Sequence, residues 1–192
     1  MEAFRTVQGE GAHMGRSSFF MRIGGCDVGC HWCDVKESWD ASVHPLTELD
    51  DLIKMPGPND TNVVITGGEP LMWDMGPLTE GLKARGLKVH LETSGAYPVT
   101  GSWDWVCLSP KKNKLPKPEW YGLANELKVI VYNDDDFKWA ETHSAQCGLQ
   151  IERFLQPEWS RRDQNLPKII AYLESNPQWR LGLQAHKYIG MP

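Results

Sequence analysis

At 192 residues, with a formal net charge of −5 and 41% hydrophobic residues, the chain is sized for a single domain, 1–192, with a proper core. It has no Lys/Arg-rich run, so it lacks the electrostatic footprint of a nucleic-acid binder. No apolar stretch approaches the roughly 20 residues of a membrane helix, and "MEAFRTVQGEGAHMG" has no basic segment leading into an apolar one, so a cytoplasmic protein without membrane attachment is expected.

In chain order, "SSFFMRIGG" (17–25) is a short apolar run closed by two glycines and predicts a buried strand. "PLTELDDLIKM" (45–55) places Leu46, Leu49, Leu52 and Ile53 at helical spacing, with Thr47 and Asp50 as a capping pair. "NVVITGGEP" (62–70) reads as a strand stopped at a glycine pair, and "GPLTEGLKARG" (76–86) as a helix ended by Gly86. Further strands are expected at 87–95, 104–111, 125–132, 149–157 and 179–184. "DDDFKWAETH" (134–143) predicts a helix with an acidic N-terminus, and Leu166, Ile169, Ile170 and Leu173 mark one face of another. Seven strands alternating with about four helices predict a parallel α/β sheet with crossover connections. That is short of a full eightfold barrel of about 250 residues and fits an abbreviated, open (β/α) barrel. Ligands of such sheets bind beyond the carboxyl ends of the strands, where "TGGEP", "ETSG", "SPK" and "LQP" all fall.

The chemistry concentrates in "GGCDVGCHWCD" (24–34), which holds Cys26, Cys30 and Cys33 with His31 between the last two. Cys107, inside "WVCLS", and Cys147 read as ordinary packing residues. In a reducing compartment clustered thiols bind metal or do chemistry more often than they pair. A closed zinc site needs four ligands, usually as two pairs, and no spacing selects His13 or His44 to complete one. Three thiolates without an obvious fourth also suit an iron–sulfur cubane with one iron left open.

The C-x3-C-x2-C spacing, with Trp32 before the last cysteine, resembles the radical S-adenosylmethionine superfamily, and "TGGEPL" (66–71) is similar to its GGEP motif. The resemblance implies a 4Fe-4S cluster on Cys26, Cys30 and Cys33, with S-adenosylmethionine chelating the open iron. It implies that its amino group is received at Gly67, Gly68 and Glu69. "FRTVQGEGAHMGRSSFFMRIGGC" and "LQAHKYIGMP" further resemble the 7-carboxy-7-deazaguanine synthase family, over nearly the whole chain. That resemblance implies a homodimeric lyase of queuosine and deazapurine biosynthesis. Its members convert 6-carboxy-5,6,7,8-tetrahydropterin to 7-carboxy-7-deazaguanine with loss of ammonia, and a flavodoxin-like partner is the expected electron donor.

Carried onto this sequence, the resemblance assigns Val7, Gln8, Gly9 and Glu10 to the pterin, Arg22 to its carboxylate, and Thr93 and Pro192 to further substrate contacts. It assigns Gly95, Ser109, Pro110, Lys111, Gln156, Pro157, Glu158 and Trp159 to the cofactor. One departure concerns magnesium: relatives often follow the last cysteine with Asp-Thr or Asp-Ser, whereas this chain has Asp34, Val35 and Lys36. Valine offers no oxygen to a hard cation. Two arrangements stay open, Mg²⁺ held by Asp34 with substrate and waters, or the Lys36 ammonium standing in for it. The competing functions are a glycyl-radical-enzyme activase, which shares the cysteine spacing, and a non-catalytic zinc module.

Overall fold

The computed structural model describes residues 1–191; the expectation placed on Pro192 lies outside them. Eight strands form one sheet in sequential order: β1 (Glu2–Val7), β2 (Ser17–Ile23), β3 (Asn62–Gly67), β4 (Lys88–Thr93), β5 (Trp105–Leu108), β6 (Glu126–Val131), β7 (Glu152–Pro157) and β8 (Arg180–Leu181). Strands β2 to β8 are parallel. Helices α1 (Leu49–Lys54), α2 (Gly76–Ala84), α3 (Glu119–Leu123), α4 (Asp135–Ser144) and α5 (Arg162–Ser175) fill the crossovers, and α6 (Ala185–Ile189) follows β8. Sequential order without a reversal point is the winding of a barrel rather than of a doubly wound sheet. It remains open, as expected. No helix of the described residues is long and apolar enough to cross a membrane.

The inner strands read as near-continuous apolar runs because both of their faces are covered. Val63, Val64 and Ile65 of β3 and Leu127, Val129 and Val131 of β6 are buried. Leu78 and Leu82, one helical turn apart on α2, and Ile169 on α5 close one face, and Trp120 of α3 is fully enclosed. Burying each such side chain is worth roughly 1.5–3 kcal/mol.

Several expectations change. Helix α1 begins at Leu49 after Glu48, with no side-chain cap, so the Thr47–Asp50 pair does not form and Leu46 is exposed. On α5 Ile170 faces solvent, while Asn165 is buried because its amide donates to the carbonyls of Val131 and Tyr132. The β4–β5 crossover has no helix; "SGAYPVTGSWD" (94–104) is broken by Gly and Pro.

Strand β1 was not expected, and it shapes the interior. It pairs antiparallel with β2, from Glu2 opposite Arg22 to Val7 opposite Ser17, so it descends from the ligand end of the sheet to the opposite end. The following segment turns inward and crosses the floor of the barrel. There the Ala12 amide donates to Glu126 of β6 at 3.0 Å, and His13 packs on His90 and Trp105. His13 is thereby set apart from the cysteines.

Candidate active site

The cysteine segment leaves β2 and is folded by its own backbone. The Gly25 amide donates to the Ser38 carbonyl (2.7 Å), Cys26 to Trp39 (3.1 Å) and Cys33 to Cys30 (3.0 Å). From outside, Asn113 donates to the Gly29 carbonyl (2.6 Å) and Lys114 pairs with Asp27 (2.8 Å). Cys26, Cys30 and Cys33 are free, half-buried thiols that line one cleft of about 280 Å³. Burial pushes the Cys26 and Cys30 thiols upward, so loading metal there must displace protons. Among the described residues no three His, Cys, Asp or Glu side chains converge as a single zinc ion requires. His31 is exposed and packs edge-on against Tyr132, and His44 bonds the Glu37 carbonyl.

The glycine pair locks this segment to the end of β3. Gly67 has φ +133°, and a Cβ there would lie 2.2 Å from the Ile23 carbonyl; one on Gly68 would lie 2.2 Å from that of Gly25. Only residues without a side chain allow Gly68 to donate to Ile23 (3.0 Å) and Glu69 to Gly25 (2.8 Å). Glu69 is 1% exposed and its carboxylate is fully engaged. Oε1 accepts from Thr93 Oγ1 (2.7 Å) and the Leu71 amide (3.2 Å), and Oε2 from the Ser94 amide (2.8 Å) and hydroxyl (2.5 Å). Glu69 thus ties the end of β3 to the end of β4.

The floor is charged. Lys128 of β6, its side chain 7% exposed, sits 2.6 Å from Glu10 and 2.8 Å from Glu92. Gln8 donates to Glu92 (3.3 Å) and accepts from the Glu10 amide (3.3 Å), and Gln184 donates to Glu10 (3.0 Å). Burial works to raise the Glu10 pKa, but the charge and hydrogen bond of Lys128, with Gln184 and His186, outweigh it and hold the group at about 2. Helix α6 closes this side: the Ala185 amide donates to Gly9 (2.9 Å), and a Cβ on Gly9 would strike the His186 ring.

The structure brings most of the sequence-derived residues to this cleft: Val7 to Glu10, Arg22, the three cysteines, Asp34, Gly67 to Glu69, Thr93, Ser109, Lys111 and Gln156 to Trp159 all line it. Gly95, Pro110 and Lys36 do not. Gly95 has φ +74° and a Cβ there would press on Leu108, Pro116 and Trp120, so backbone conformation and packing together account for glycine there. Lys36 is exposed, its ammonium 6.0 Å over the Trp39 ring. Arg22 pairs with Glu2 (2.7 Å) and lies over Phe4. Lys111 donates to the Ser109 carbonyl (2.7 Å) and hydroxyl (2.5 Å), and burial lowers its pKa. Sequence reasoning missed Glu92, Lys128, Gln184 and His186. A lysine in the middle of the apolar strand "ELKVIV" was the available signal, since buried lysines need a partner.

Buried polar atoms without protein partners point to a ligand. Thr6 Oγ1, Gln156 Oε1 and Trp39 Nε1 are unpaired, and all three residues line the cleft. Native interiors leave few such groups unsatisfied. Three thiols at the mouth, a braced bend and unpaired polar groups therefore suit an iron–sulfur cluster with a polar cofactor. For magnesium they offer little: Val35 lines the cleft with no oxygen, and Asp34 Oδ2 is engaged by Lys187 and Gln184, which leaves Oδ1 as its one open acceptor.

Known proteins are similar to this chain. The pattern of the Radical SAM superfamily matches residues 21–106. The whole chain is 57% identical over 192 residues to 7-carboxy-7-deazaguanine synthase of Flavobacterium psychrophilum, covering 91% of that protein. It is 51% identical over 191 residues to the enzyme of the same name from Synechocystis sp., covering 99% of this chain and 91% of that one. The crystal structure of QueE from Escherichia coli superposes with a TM-score of 0.81 at 31% identity, over 96% of this chain and 92% of that one.

Proposed function

The chain belongs to the 7-carboxy-7-deazaguanine synthase family of the radical S-adenosylmethionine superfamily, and from that premise we propose that its cleft converts 6-carboxy-5,6,7,8-tetrahydropterin to 7-carboxy-7-deazaguanine with loss of ammonia. The observation that carries this reading is the joining, in one cleft, of the cysteine trio above and the carboxylate floor of Glu10 and Glu92 below. When bound, the 4Fe-4S cluster on Cys26, Cys30 and Cys33 and S-adenosylmethionine supply the one-electron chemistry that starts the rearrangement. The protein supplies position. The donor-rich edge of a pterin matches the acceptors Gln8, Glu10 and Glu92, and its carboxylate matches the guanidinium of Arg22. Gln156 to Trp159, Ser109 and Lys111 are left to the cofactor side.

Anaerobic reconstitution with iron and sulfide, followed by mass analysis of products, tests the proposal. Formation of 7-carboxy-7-deazaguanine is expected; glycyl-radical formation on an added protein instead would place the chain among the activases. Arg22→Ala should cost about 2–4 kcal/mol in pterin binding or turnover while uncoupled cleavage of S-adenosylmethionine continues. Glu2→Ala should change little, because exposed ion pairs contribute at most about 1 kcal/mol. Equal loss of both activities in Arg22→Ala, with the cluster intact, would move Arg22 to the cofactor.

The donor set around Asp34 leads to a magnesium-independent site, with the Lys187 ammonium rather than that of Lys36 as the positive charge beside Asp34. Pterin affinity should be the same in EDTA as with added Mg²⁺, and Lys187→Ala should weaken it; a clear gain on adding Mg²⁺ to the wild type would refute this. A cytoplasmic homodimer with a flavodoxin-like donor completes the reading. Exposed Met14, Ile189 and Met191, which line a second, apolar hollow beside α6, support self-association. Light scattering measures it.

A further inference from the structure

Lys128 is the one lysine among the interior strand positions of β2 to β7, and neither the motifs nor the resemblance assign it a task. Its ammonium bridges two carboxylates that come from distant places, Glu10 in the segment crossing the floor and Glu92 near the end of β4. A buried ion is costly unless it is paired and hydrogen-bonded, and replacing such a charge by an apolar side chain often stabilises a fold. A purely structural post would be better served by leucine. The triad also sits in the wall of the cleft, not behind it.

We propose that Lys128 is the positioning residue of the substrate floor: it holds the Glu10 and Glu92 carboxylates side by side as a paired acceptor for the donor-rich edge of a pterin. The inference rests on the pterin reading above and adds the device that makes such an edge-reader possible. Two carboxylates brought together without a cation share a proton and bond to each other. Their acceptors are then turned inward, away from a ligand. With Lys128 between them, Glu10 keeps Oε1 for Gln184 and Glu92 keeps Oε1 for Gln8, so both groups are oriented from two sides. The side-chain amides of Gln8 and Gln184 fix the angle, and Lys128 fixes the charge.

Other titratable and charged groups face the triad from each neighbouring element. They are Glu126 on β6, Cys107 on β5, Lys111 after β5, His13 on the floor segment and His186 on α6. Burial and then the charge of Glu92 push the Glu126 carboxyl upward. Burial pushes the Cys107 thiol well above its ordinary range. Burial works to discharge Lys128 itself, but its anionic neighbours hold it charged.

The experiment measures pterin affinity of the reconstituted protein anaerobically across about pH 5.5 to 8.5, with iron content and unfolding temperature recorded for each variant. Lys128→Met should bind about tenfold more weakly at the acid end, the size of one hydrogen bond to a charged acceptor. Its affinity should recover as pH rises, a limb absent from the wild type. Lys128→Arg should keep the wild-type profile. Adding Glu92→Gln to Lys128→Met should abolish the new limb, because only one carboxylate remains to titrate. A loss in Lys128→Met that is flat with pH and tracks unfolding would make Lys128 merely structural and overturn the proposal, as would unchanged affinity. If Lys128→Met does not fold, Lys128→Arg and Glu92→Gln decide: a wild-type affinity for Glu92→Gln overturns it. A wild type that binds no pterin defeats the functional reading itself, which is a different result.

Discussion

Replacing Cys26, Cys30 or Cys33 by alanine is expected to abolish cleavage of S-adenosylmethionine and to strip iron from the reconstituted protein, whereas Cys107→Ala and Cys147→Ala keep wild-type iron. The three thiols share one cleft, and two thiolates cannot retain a cubane that already lacks a fourth protein ligand. Cys107 is 1% exposed on β5, and Cys147 donates to the His143 carbonyl at the end of α4. Both serve packing. Cys107→Ala has a cost of its own, roughly 1–2 kcal/mol for a small buried group, which calorimetry separates from iron loss. Dependence of iron content on Cys107 or Cys147, with one of the trio dispensable, would reverse the assignment.

Glu69→Ala is expected to lower the stability of the cluster-free protein by about 3–5 kcal/mol, a fall of about 10 °C in unfolding temperature. Four protein donors converge on this carboxylate, two on each oxygen. Alanine leaves all four unpaired in a site closed to water. Glutamine, despite its similar volume, should recover little. Whichever way its amide is turned, the NH₂ end faces a backbone N–H that cannot accept, the Leu71 amide on one side or the Ser94 amide on the other, even where the neighbouring hydroxyl reverses. Melting followed by circular dichroism on apoprotein isolates this effect from cofactor binding. A Glu69→Gln melt at the wild-type temperature would mean that the carboxylate is not the tie between β3 and β4.

What sequence could reveal follows from how local each signal is. Strands β2 to β7 were legible because parallel interior strands carry unbroken apolar runs closed by Gly, Pro or Asn. The cysteine trio and the glycine pair were legible because their spacing is local. Strand β1 escaped because "EAFRTV" is half exposed and carries charged Glu2 and Arg5; only its pairing with β2 reveals it. Helices α3 and α6 have five residues each, too few for a periodic pattern. The floor was the hardest part. Glu92 reads as the polar position of an alternating strand and Lys128 as an oddity. Only the inward turn after Val7 brings Glu10 to the far side of Lys128 from Glu92. Lys36 illustrates the opposite case: nearness in sequence suggested a partnership with Asp34, whereas the ammonium that meets this carboxylate belongs to Lys187, 153 positions away.

The floor-to-α6 junction also fixes when the site can exist during synthesis. Glu10 meets Gln184 across 174 positions, and the Gly9 carbonyl meets Ala185. In a chain emerging from the ribosome the cysteine segment after β2 appears well before α6. The wall that shields the far side of the cleft, α6, is made only after all eight strands. Contacts of such span close slowly, since the ordering cost precedes the reward. Nascent chains therefore expose thiols in a half-built barrel, where oxidation or stray metal can reach them. Iron delivered only after α6 has docked would meet a finished pocket, so the junction favours docking of α6 before cluster loading.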